Sequence, residues 1–183
     1  ILLQIDVLNK IGKTEKINIL EKYIEELEKG DITNREGLAS RTYFKEIFGE
    51  NFKRFEPDII NYCINYCYQI IRSKIAQEIV ANGYNPSLGI FHRSEYNSYN
   101  LSDDFIEVFR PIVDLYVYNI LLYNEEEYLT PELKEKMSNI LNQIVIFNKS
   151  EQKIRNCITL FLQNMFNFLE LGDLEKIMFP TLK

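Results

Sequence analysis

Three side chains near the middle of the sequence have the types and spacing needed for metal-dependent phosphate chemistry. Asp104 and Glu107 are three residues apart in a segment predicted to be helical, so both carboxylates project from one helix face. Asp103 and Glu107, four apart, form an equivalent pair. His92, the only histidine in the sequence, precedes them in a predicted loop. Two carboxylates and one imidazole suit Mg²⁺ or Mn²⁺ better than structural zinc.

The same residues also have a simpler structural interpretation. Acidic side chains in the first turn of a helix commonly complement its dipole, and a single histidine is often an ordinary hydrogen-bonded residue. Glu36 is similarly ambiguous, because Thr33-Asn34-Arg35-Glu36 has the form of a capping box at a helix start. Spacing alone therefore leaves both interpretations open and does not single out Glu36.

The motifs of several other enzyme classes do not occur in the sequence. No G-x-S-x-G nucleophile elbow accompanies the histidine, and there is no Walker loop or G-x-G-x-x-G. A single histidine also excludes a two-histidine iron site. Cys63 and Cys67 lie four apart on a predicted helix and Cys157 stands alone, so we expect core packing and reduced thiols. A mixed carboxylate and imidazole site remains the candidate.

Helical periodicity extends over nearly the whole chain. Apolar residues recur at three- and four-residue spacing over residues 17–27, which predicts an amphipathic helix ending near Gly30. A second helix is predicted from the capping box to Gly49. Both helices precede the longest predicted helix in the sequence.

The longest helix is predicted over residues 58–82. Its many isoleucines are too numerous for a surface helix, so it is predicted to be the central, mostly buried element. Asn61 and Asn65 lie one turn apart on it. Because buried amides need partners, we expect hydrogen bonds to Tyr66 or Tyr68 in the core.

The second half of the chain contains further helix signals. Ser102 is predicted to cap the helix that carries the two carboxylates, and Pro111 to interrupt it. Thr130 and Ser150 are predicted to cap two later helices. Residues 143–148 are the one segment for which a short strand is an alternative. With no internal repeat or domain boundary, the sequence predicts a single all-α domain, residues 1–183.

Composition limits the compartment and the partners. No run approaches the ~20 apolar residues of a membrane span, so we expect a cytoplasmic protein without membrane association. The net charge of −6 argues against broad, nonspecific nucleic-acid binding. Between Arg35 and Arg110, however, nine Lys or Arg stand against ten Asp or Glu. This stretch is close to neutral, and a bound cation would remove its remaining acidity.

Several longer motifs follow one another in a fixed order between Asp31 and Asp114. They are Asn34-Arg35-Glu36-Gly37-Leu38-Ala39, Tyr43-Phe44, Phe48-Gly49, Asn65-Tyr66 with Tyr68, Gly83-Tyr84-Asn85-Pro86-Ser87-Leu88-Gly89-Ile90-Phe91-His92, Asn100-Leu101-Ser102-Asp103-Asp104 with Glu107, and Phe109-Arg110-Pro111-Ile112-Val113-Asp114. Together they resemble the CRISPR-associated protein 1 family, in the form found in type II systems. The flanks match this family only in general character.

The resemblance implies a catalytic, metal-binding triad of Glu36, His92 and Glu107, with Asp104 as a supporting acidic residue. It implies Mg²⁺ or Mn²⁺ as the cofactor. Basic side chains near the motifs are candidates for contacts with DNA phosphates. These candidates are Arg41, Lys45, Arg72, Arg93 and Arg110.

The resemblance also implies a function, the metal-dependent DNA integrase of CRISPR adaptation. Such an enzyme joins the 3′-hydroxyl ends of spacer DNA to the CRISPR repeat by transesterification. The implied partners are spacer-precursor and repeat DNA, CRISPR-associated protein 2 and, in the full-length family, a second copy of the protein. The family's N-terminal β-rich domain has no counterpart in this sequence, so we expect only the helical catalytic domain.

Two other functions remain open from the sequence. The same residues with water as the nucleophile describe a divalent-metal DNA endonuclease, which differs only in giving cut rather than joined DNA. A noncatalytic helical interaction module fits the acidic balance and the 24 Phe and Tyr side chains. This second alternative predicts that Glu36 and His92 lie far apart and that no metal binds.

Overall fold

The structure is a computed structural model, and it describes residues 1–124, 126–172 and 177–183. The helices of this part are α1 Leu2–Lys10, α2 Ile17–Glu25, α3 Arg35–Phe48, α4 Ile59–Ala81, α5 Asn100–Ile106, α6 Arg110–Leu121, α7 Pro131–Ser138 and α8 Ile154–Leu171. A short 3-10 turn, Glu107–Phe109, joins α5 to α6, and another, Asn139–Asn142, follows α7. None of the helices in the described segments is long and apolar enough to cross a bilayer.

A small antiparallel sheet corrects the expectation of an all-α domain. Strand β1, Ile144–Phe147, lies between β2, Ser150–Lys153, and β3, Thr181–Leu182. The β-branched residues of β1 favour a strand, and its side chains alternate between buried and more exposed positions. The strand alternative for residues 143–148 is therefore the correct one, and the fold is mostly helical with one three-stranded sheet.

The hairpin turn explains why the predicted cap at Ser150 is wrong. Asn148 and Lys149 both have positive φ, 48° and 61°, as a two-residue hairpin turn requires at its central positions. Ser150 consequently begins β2 and does not cap α8. That helix starts after Lys153.

Helix α4 is the centre of the main core, as its isoleucines predict. It packs against α5, α6, α7 and α8, and Ile64, Ile71, Ile75 and Ile79 are completely buried. Burial of each such side chain stabilises the fold by roughly 1.5–3 kcal/mol. A second apolar cluster joins α1, α2, α3 and part of α6. Together they place the N-terminus of α3 beside the α5–α6 junction, where the candidate site lies.

Two of the predicted helix caps have clear outcomes. The Thr130 hydroxyl accepts a hydrogen bond from the Leu133 N–H at 3.2 Å, which confirms that cap. Ser102 is wrong as a cap, because it is buried inside α5, after the helix has started. The amide of Asn100 fixes that start instead, by donating to the carbonyls of Ser87 and Ser94.

The three cysteines pack in the core. Cys63, Cys67 and Cys157 are unpaired and completely buried. This confirms core packing as their role.

Candidate metal and nucleic-acid site

The start of α3 presents Glu36 on the surface without using its carboxylate as a cap. The Asp31 carboxylate instead accepts hydrogen bonds from the backbone N–H groups of Arg35 at 2.6 Å and Glu36 at 3.0 Å. Asn34 before the helix adopts a left-handed conformation with φ of 53°. The predicted capping box is therefore wrong, because Asp31 takes the role assigned to Thr33 and Glu36. The exposed Glu36 carboxylate is available for another partner.

Asp104 organises the loop that carries His92. Its carboxylate accepts hydrogen bonds from the backbone N–H groups of Ile90, Phe91 at 3.1 Å and His92 at 3.0 Å. Its Oδ1 also lies 2.7 Å from Nδ1 of the His92 ring. The Asp104 side chain is only 4% exposed, whereas that of His92 is 46% exposed. Asp104 is thus fully engaged in holding the loop and the imidazole.

This contact orients the imidazole for ligand binding. A carboxylate beside Nδ1 favours the tautomer with its proton on that nitrogen. The lone pair of Nε2 is then left for a metal or a hydrogen-bond donor.

Gly89 allows the loop to fold back on itself. A Cβ at this position would collide with the carbonyl oxygen of His92 and with Asn100. Asn100 is 3% exposed, and its amide is tied to the loop carbonyls of Ser87 and Ser94. Any larger residue at position 89 would push the histidine away from Asp104.

Glu107 follows α5 directly and lies within electrostatic reach of both other candidate ligands. Its Oε1 accepts a hydrogen bond from Nε of Arg110 at 2.9 Å, and its side chain is 53% exposed. Partial burial raises the pKa of Glu107; Arg110 and His92 oppose this rise, and the like charge of Glu36 adds to it. Glu36, His92 and Glu107 thus come from three separate segments, and the charges of Glu36 and His92 both act on Glu107.

These three side chains do not form a closed set of ligands in the described part of the chain. Across residues 1–124, 126–172 and 177–183, no three His, Cys, Asp or Glu side chains are close enough to hold a metal ion as they stand. The carboxylate of Glu107 is paired with Arg110, and the ring of His92 with Asp104. The donor types still fit a hard divalent cation, because two carboxylates and an imidazole are its usual ligands. Closing the set requires Glu107 to turn away from Arg110.

A basic cleft of about 560 Å³ opens beside Glu107. It lies between α3, the segment linking α3 to α4, and the α5–α6 junction. Glu107 is the acidic group on its described lining, and the cationic residues there outnumber it. These cations are Arg41, Lys45, Lys53, Arg54 and Arg110.

Arg54, which no sequence motif singled out, is the most firmly held of these cations. Its Nη1 and Nη2 donate to Oδ1 of Asn61 at 2.6 Å and Oδ1 of Asn65 at 2.7 Å. Its guanidinium also lies 5.6 Å from the ring centroid of Tyr68 and 5.1 Å from that of Phe55. The expectation that the two asparagines bond to tyrosines is wrong, because Arg54 supplies charged donors to both. The amide oxygens of Asn61 and Asn65, one helical turn apart, were the sequence feature that could have indicated an arginine partner.

The predicted phosphate-binding residues divide into two groups. Arg41, Lys45 and Arg110 line the basic cleft, whereas Arg72 and Arg93 do not. Nε of Arg72 lies 2.7 Å from Asp103, so that charge is already paired. The guanidinium of Arg93 donates to the Ile90 carbonyl and is exposed beside the histidine loop.

Comparison with known proteins identifies the family. A family model described as CRISPR associated protein Cas1 matches residues 4–154. The chain belongs to the Cas1 family. The matched span includes the candidate metal ligands and the cleft.

Individual Cas1 relatives match only part of their length. A CRISPR-associated endonuclease Cas1 from Neisseria meningitidis serogroup C (strain 8013) is 39% identical over 145 residues, covering 78% of this chain and 47% of that protein. A second, from Thermodesulfovibrio yellowstonii, is 33% identical over 118 residues, covering 57% of this chain and 37% of that protein. The chain thus matches less than half the length of these curated relatives.

Solved structures share the fold. A CAS1 protein from Thermotoga maritima superimposes with a TM-score of 0.75 at 19% identity, covering 93% of this chain and 62% of that one. A casposase bound to integration product gives a TM-score of 0.64 at 22% identity, covering 82% of this chain and 52% of that one. At such identities the likeness establishes the fold.

Proposed function

We propose that this chain carries the metal-dependent catalytic centre of a DNA integrase of CRISPR adaptation. The observation that supports this most strongly is the position of Glu107 on a basic cleft, within electrostatic reach of Glu36 and His92. Membership of the Cas1 family supports the same function, and a fold neighbour is a casposase described as bound to an integration product. The noncatalytic alternative expects no metal to bind, so Mn²⁺ binding at these residues distinguishes it from the integrase.

In this proposal Glu36, His92 and Glu107 hold Mg²⁺ or Mn²⁺. The ion, when bound, polarises the scissile phosphate and stabilises the departing oxygen. Asp104 holds the imidazole in the orientation that exposes Nε2, as carboxylates commonly do behind metal-binding histidines. Arg110 holds the Glu107 carboxylate in the absence of an ion and is released when that carboxylate turns.

The basic cleft binds the DNA backbone next to this centre. Arg41, Lys45 and Arg110 contact phosphates, and Lys53 and Arg54 add to the same surface. This concentration of cations answers the objection raised by the net charge of −6, because the acidic surplus lies elsewhere on the chain. In the reaction, a DNA 3′-hydroxyl attacks the phosphorus; a new phosphorus–oxygen bond forms and the old bond to the leaving oxygen breaks.

The partners of the whole protein are part of this proposal. They are spacer-precursor and repeat DNA, CRISPR-associated protein 2 and a second copy of the protein, in the cytoplasm. A second candidate function is DNA hydrolysis, which the names of the endonuclease relatives favour. It uses the same residues with water as the attacking group.

One assay separates the two functions. The whole protein is incubated with Mn²⁺, repeat-containing plasmid and a labelled duplex that ends either in a 3′-hydroxyl or in a 3′-deoxy sugar. The integrase predicts labelled plasmid with the 3′-hydroxyl duplex only, whereas an endonuclease cuts with either and transfers no label.

Matched variants connect that activity to the site. Glu107→Gln is expected to abolish labelling without lowering the thermal midpoint. Glu135→Gln, an exposed glutamate on α7, is expected to retain full activity. Labelling that survives Glu107→Gln would overturn the assignment of the site.

A further inference from the structure

A buried acidic residue lies directly beneath the basic cleft. Asp114 is 1% exposed and is the one charged side chain among the fully buried residues of the described part. It follows Arg110 by four positions on α6, so the two lie on one helix face. The hydroxyl of Tyr68 donates a hydrogen bond to its Oδ1 at 2.7 Å. The buried Tyr43 hydroxyl also faces this carboxylate.

The ring of Tyr68 connects this carboxylate to the cleft. Tyr68 lies on the cleft lining, and its ring centroid is 4.8 Å from the guanidinium of Arg110 and 5.6 Å from that of Arg54. A guanidinium over an aromatic face is attracted by the ring. One tyrosine therefore supports two arginines, and its hydroxyl end is fixed by Asp114.

The two arginines repel each other, and Asp114 offsets that repulsion. The pKa of Arg54 is lowered first by burial and further by Arg110, whereas Tyr68 and Asp114 oppose the change. Asp114 thus supplies negative charge below two cations that the cleft holds side by side.

Asp114 is costly to keep ionised, so packing alone explains it poorly. Burial raises its pKa to about 7, despite the opposing effects of the Tyr68 hydrogen bond and the two arginines. Replacement of a whole buried ion pair by well-packed apolar side chains is often neutral or stabilising, so a buried charge is weak evidence for a role in stability. An effect on the two arginines above it explains a carboxylate at this position better than packing does.

We propose that Asp114 is a positioning residue of the cleft: through the Tyr68 hydroxyl it fixes the ring beneath Arg54 and Arg110, and so holds both guanidinium groups ready for a phosphodiester of a nucleic-acid strand. This inference rests on the proposed binding of DNA by the cleft. It assigns Asp114 no contact with DNA.

The direction of the effect distinguishes positioning from simple charge. Removing a negative charge near a cleft that binds a polyanion raises affinity if only the Coulomb interaction changes. Positioning predicts the opposite, because free arginines lose side-chain entropy when they bind phosphate. Asp114→Asn keeps an oxygen acceptor for Tyr68, and Tyr43 offers an acceptor for the new amide. The substitution keeps the side-chain volume but replaces a charge-assisted hydrogen bond to Tyr68 by a weaker neutral one, so the ring is held less firmly.

The experiment measures the affinity of the protein for a fluorescein-labelled single-stranded oligonucleotide by anisotropy over a range of KCl concentrations. Asp114→Asn and Tyr68→Phe are each expected to weaken binding about tenfold. The slope of log K against log salt is expected to fall in magnitude by about 0.7 for each phosphate that is no longer neutralised. Tyr116→Phe is the matched control, because its hydroxyl bonds the Lys136 carbonyl away from the cleft. Unchanged or tighter binding by Asp114→Asn overturns the proposal.

A double variant tests whether the effect passes through the arginine. In the Arg110→Ala background, Asp114→Asn is expected to cost much less affinity than in the wild type, because the positioned group is gone. Equal losses of affinity in both backgrounds contradict positioning of Arg110.

A measurement without DNA separates this inference from the proposed function. The Nε–Hε resonances of Arg54 and Arg110 in ¹⁵N NMR spectra are expected to show restricted motion in the wild type. In Asp114→Asn the motion of Arg110 is expected to increase clearly, and that of Arg54 to increase less, because Asn61 and Asn65 still hold it. If the wild type binds no oligonucleotide, the hypothesis that the cleft binds DNA is wrong. The NMR experiment then tests the positioning of the arginines by itself. Unchanged arginine motion in Asp114→Asn overturns it.

Discussion

The carboxylate of Asp104 lies 2.7 Å from Nδ1 of His92, and it also accepts hydrogen bonds from the backbone of the same histidine and its neighbours. One side chain therefore fixes both the path of the loop and the orientation of the imidazole. Because its oxygens are occupied within the protein, we expect Asp104 to support the histidine and not to bind a metal directly.

Asp104→Asn is expected to lower Mn²⁺ affinity about 10- to 100-fold, the range typical of groups that orient metal-binding histidines. The amide nitrogen of asparagine cannot accept the loop's backbone N–H groups, so faster hydrogen exchange at residues 90–92 is also expected. Titration calorimetry with Mn²⁺ and hydrogen exchange measure the two effects. Asp103→Asn is the matched control, since the neighbouring carboxylate pairs with Arg72 instead. Equal effects from both variants would contradict the role given to Asp104.

Arg110→Ala is expected to affect metal and DNA binding in opposite directions. Removal of the guanidinium frees Glu107, so Mn²⁺ affinity rises a few-fold, which matches the small energy of exposed ion pairs, about 1 kcal/mol or less. DNA affinity falls because the cleft has one cation fewer to bind phosphate. Calorimetry and anisotropy measure both, with Arg155→Ala on α8 as the control. A fall in Mn²⁺ affinity would show that Arg110 does not compete for Glu107.

Phe55 is expected to stack on a base of a bound single strand. Its side chain is 86% exposed at the edge of the cleft, and its φ of 78° is unusual for a bulky residue. Phe55→Ala should weaken binding by about 1–3 kcal/mol, the typical value of one base–aromatic stack, without changing the salt slope. Tyr123→Ala, another exposed aromatic, is the control. Equal affinity of wild type and Phe55→Ala would exclude the stack.

The positive φ of residue 55 also predicts that two substitutions there differ in stability but not in binding. A glycine has no steric penalty at positive φ, so Phe55→Gly is expected to be more stable than Phe55→Ala. Both should bind the oligonucleotide equally weakly. Thermal unfolding of the two variants measures the difference, and a less stable glycine variant would show that the backbone at Phe55 is not strained.

Asp114 predicts a pH dependence of stability. Its folded-state pKa of about 7 exceeds the ordinary value near 3.9, so between these values the folded protein holds a proton that the unfolded chain has released. The contribution of Asp114 to the free energy of unfolding is therefore present at low pH and is lost as the pH rises through about 7. The loss amounts to at most about 4 kcal/mol. The free energy of unfolding of Asp114→Asn relative to wild type should therefore rise between about pH 5 and about pH 8. Urea unfolding at several pH values measures this difference, and a constant difference would contradict the raised pKa.

The sequence predicts the parts of the fold that depend on long periodic patterns. The long central helix, predicted over residues 58–82, appears as Ile59–Ala81, because its apolar period and the cap at Asp58 agree. The short strands are harder, because residues 144–147 are too few to distinguish a strand from a helix by period. Strand formation at these residues depends on pairing with β2 and β3. Strand β2 follows after a two-residue turn, whereas β3 is distant in sequence.

The candidate site was predictable only in part. Spacing places Asp104 and Glu107 on one face, but Glu36 entered through the family resemblance alone. The apparent capping box suggested that the Glu36 carboxylate is used as a cap. In the structure Asp31 caps the helix instead, from a turn in which Asp31 and Asn34 are both left-handed. Arg54 was missed because its partners, two asparagines on another element, become neighbours only in the folded chain.

The most direct test of the central claim is an anomalous-diffraction map from crystals soaked in Mn²⁺. We predict a peak within ligand distance of Glu36, His92 and Glu107, with the Glu107 carboxylate turned away from Arg110. At saturating Mn²⁺, a map without a peak at these residues would contradict the proposed metal centre.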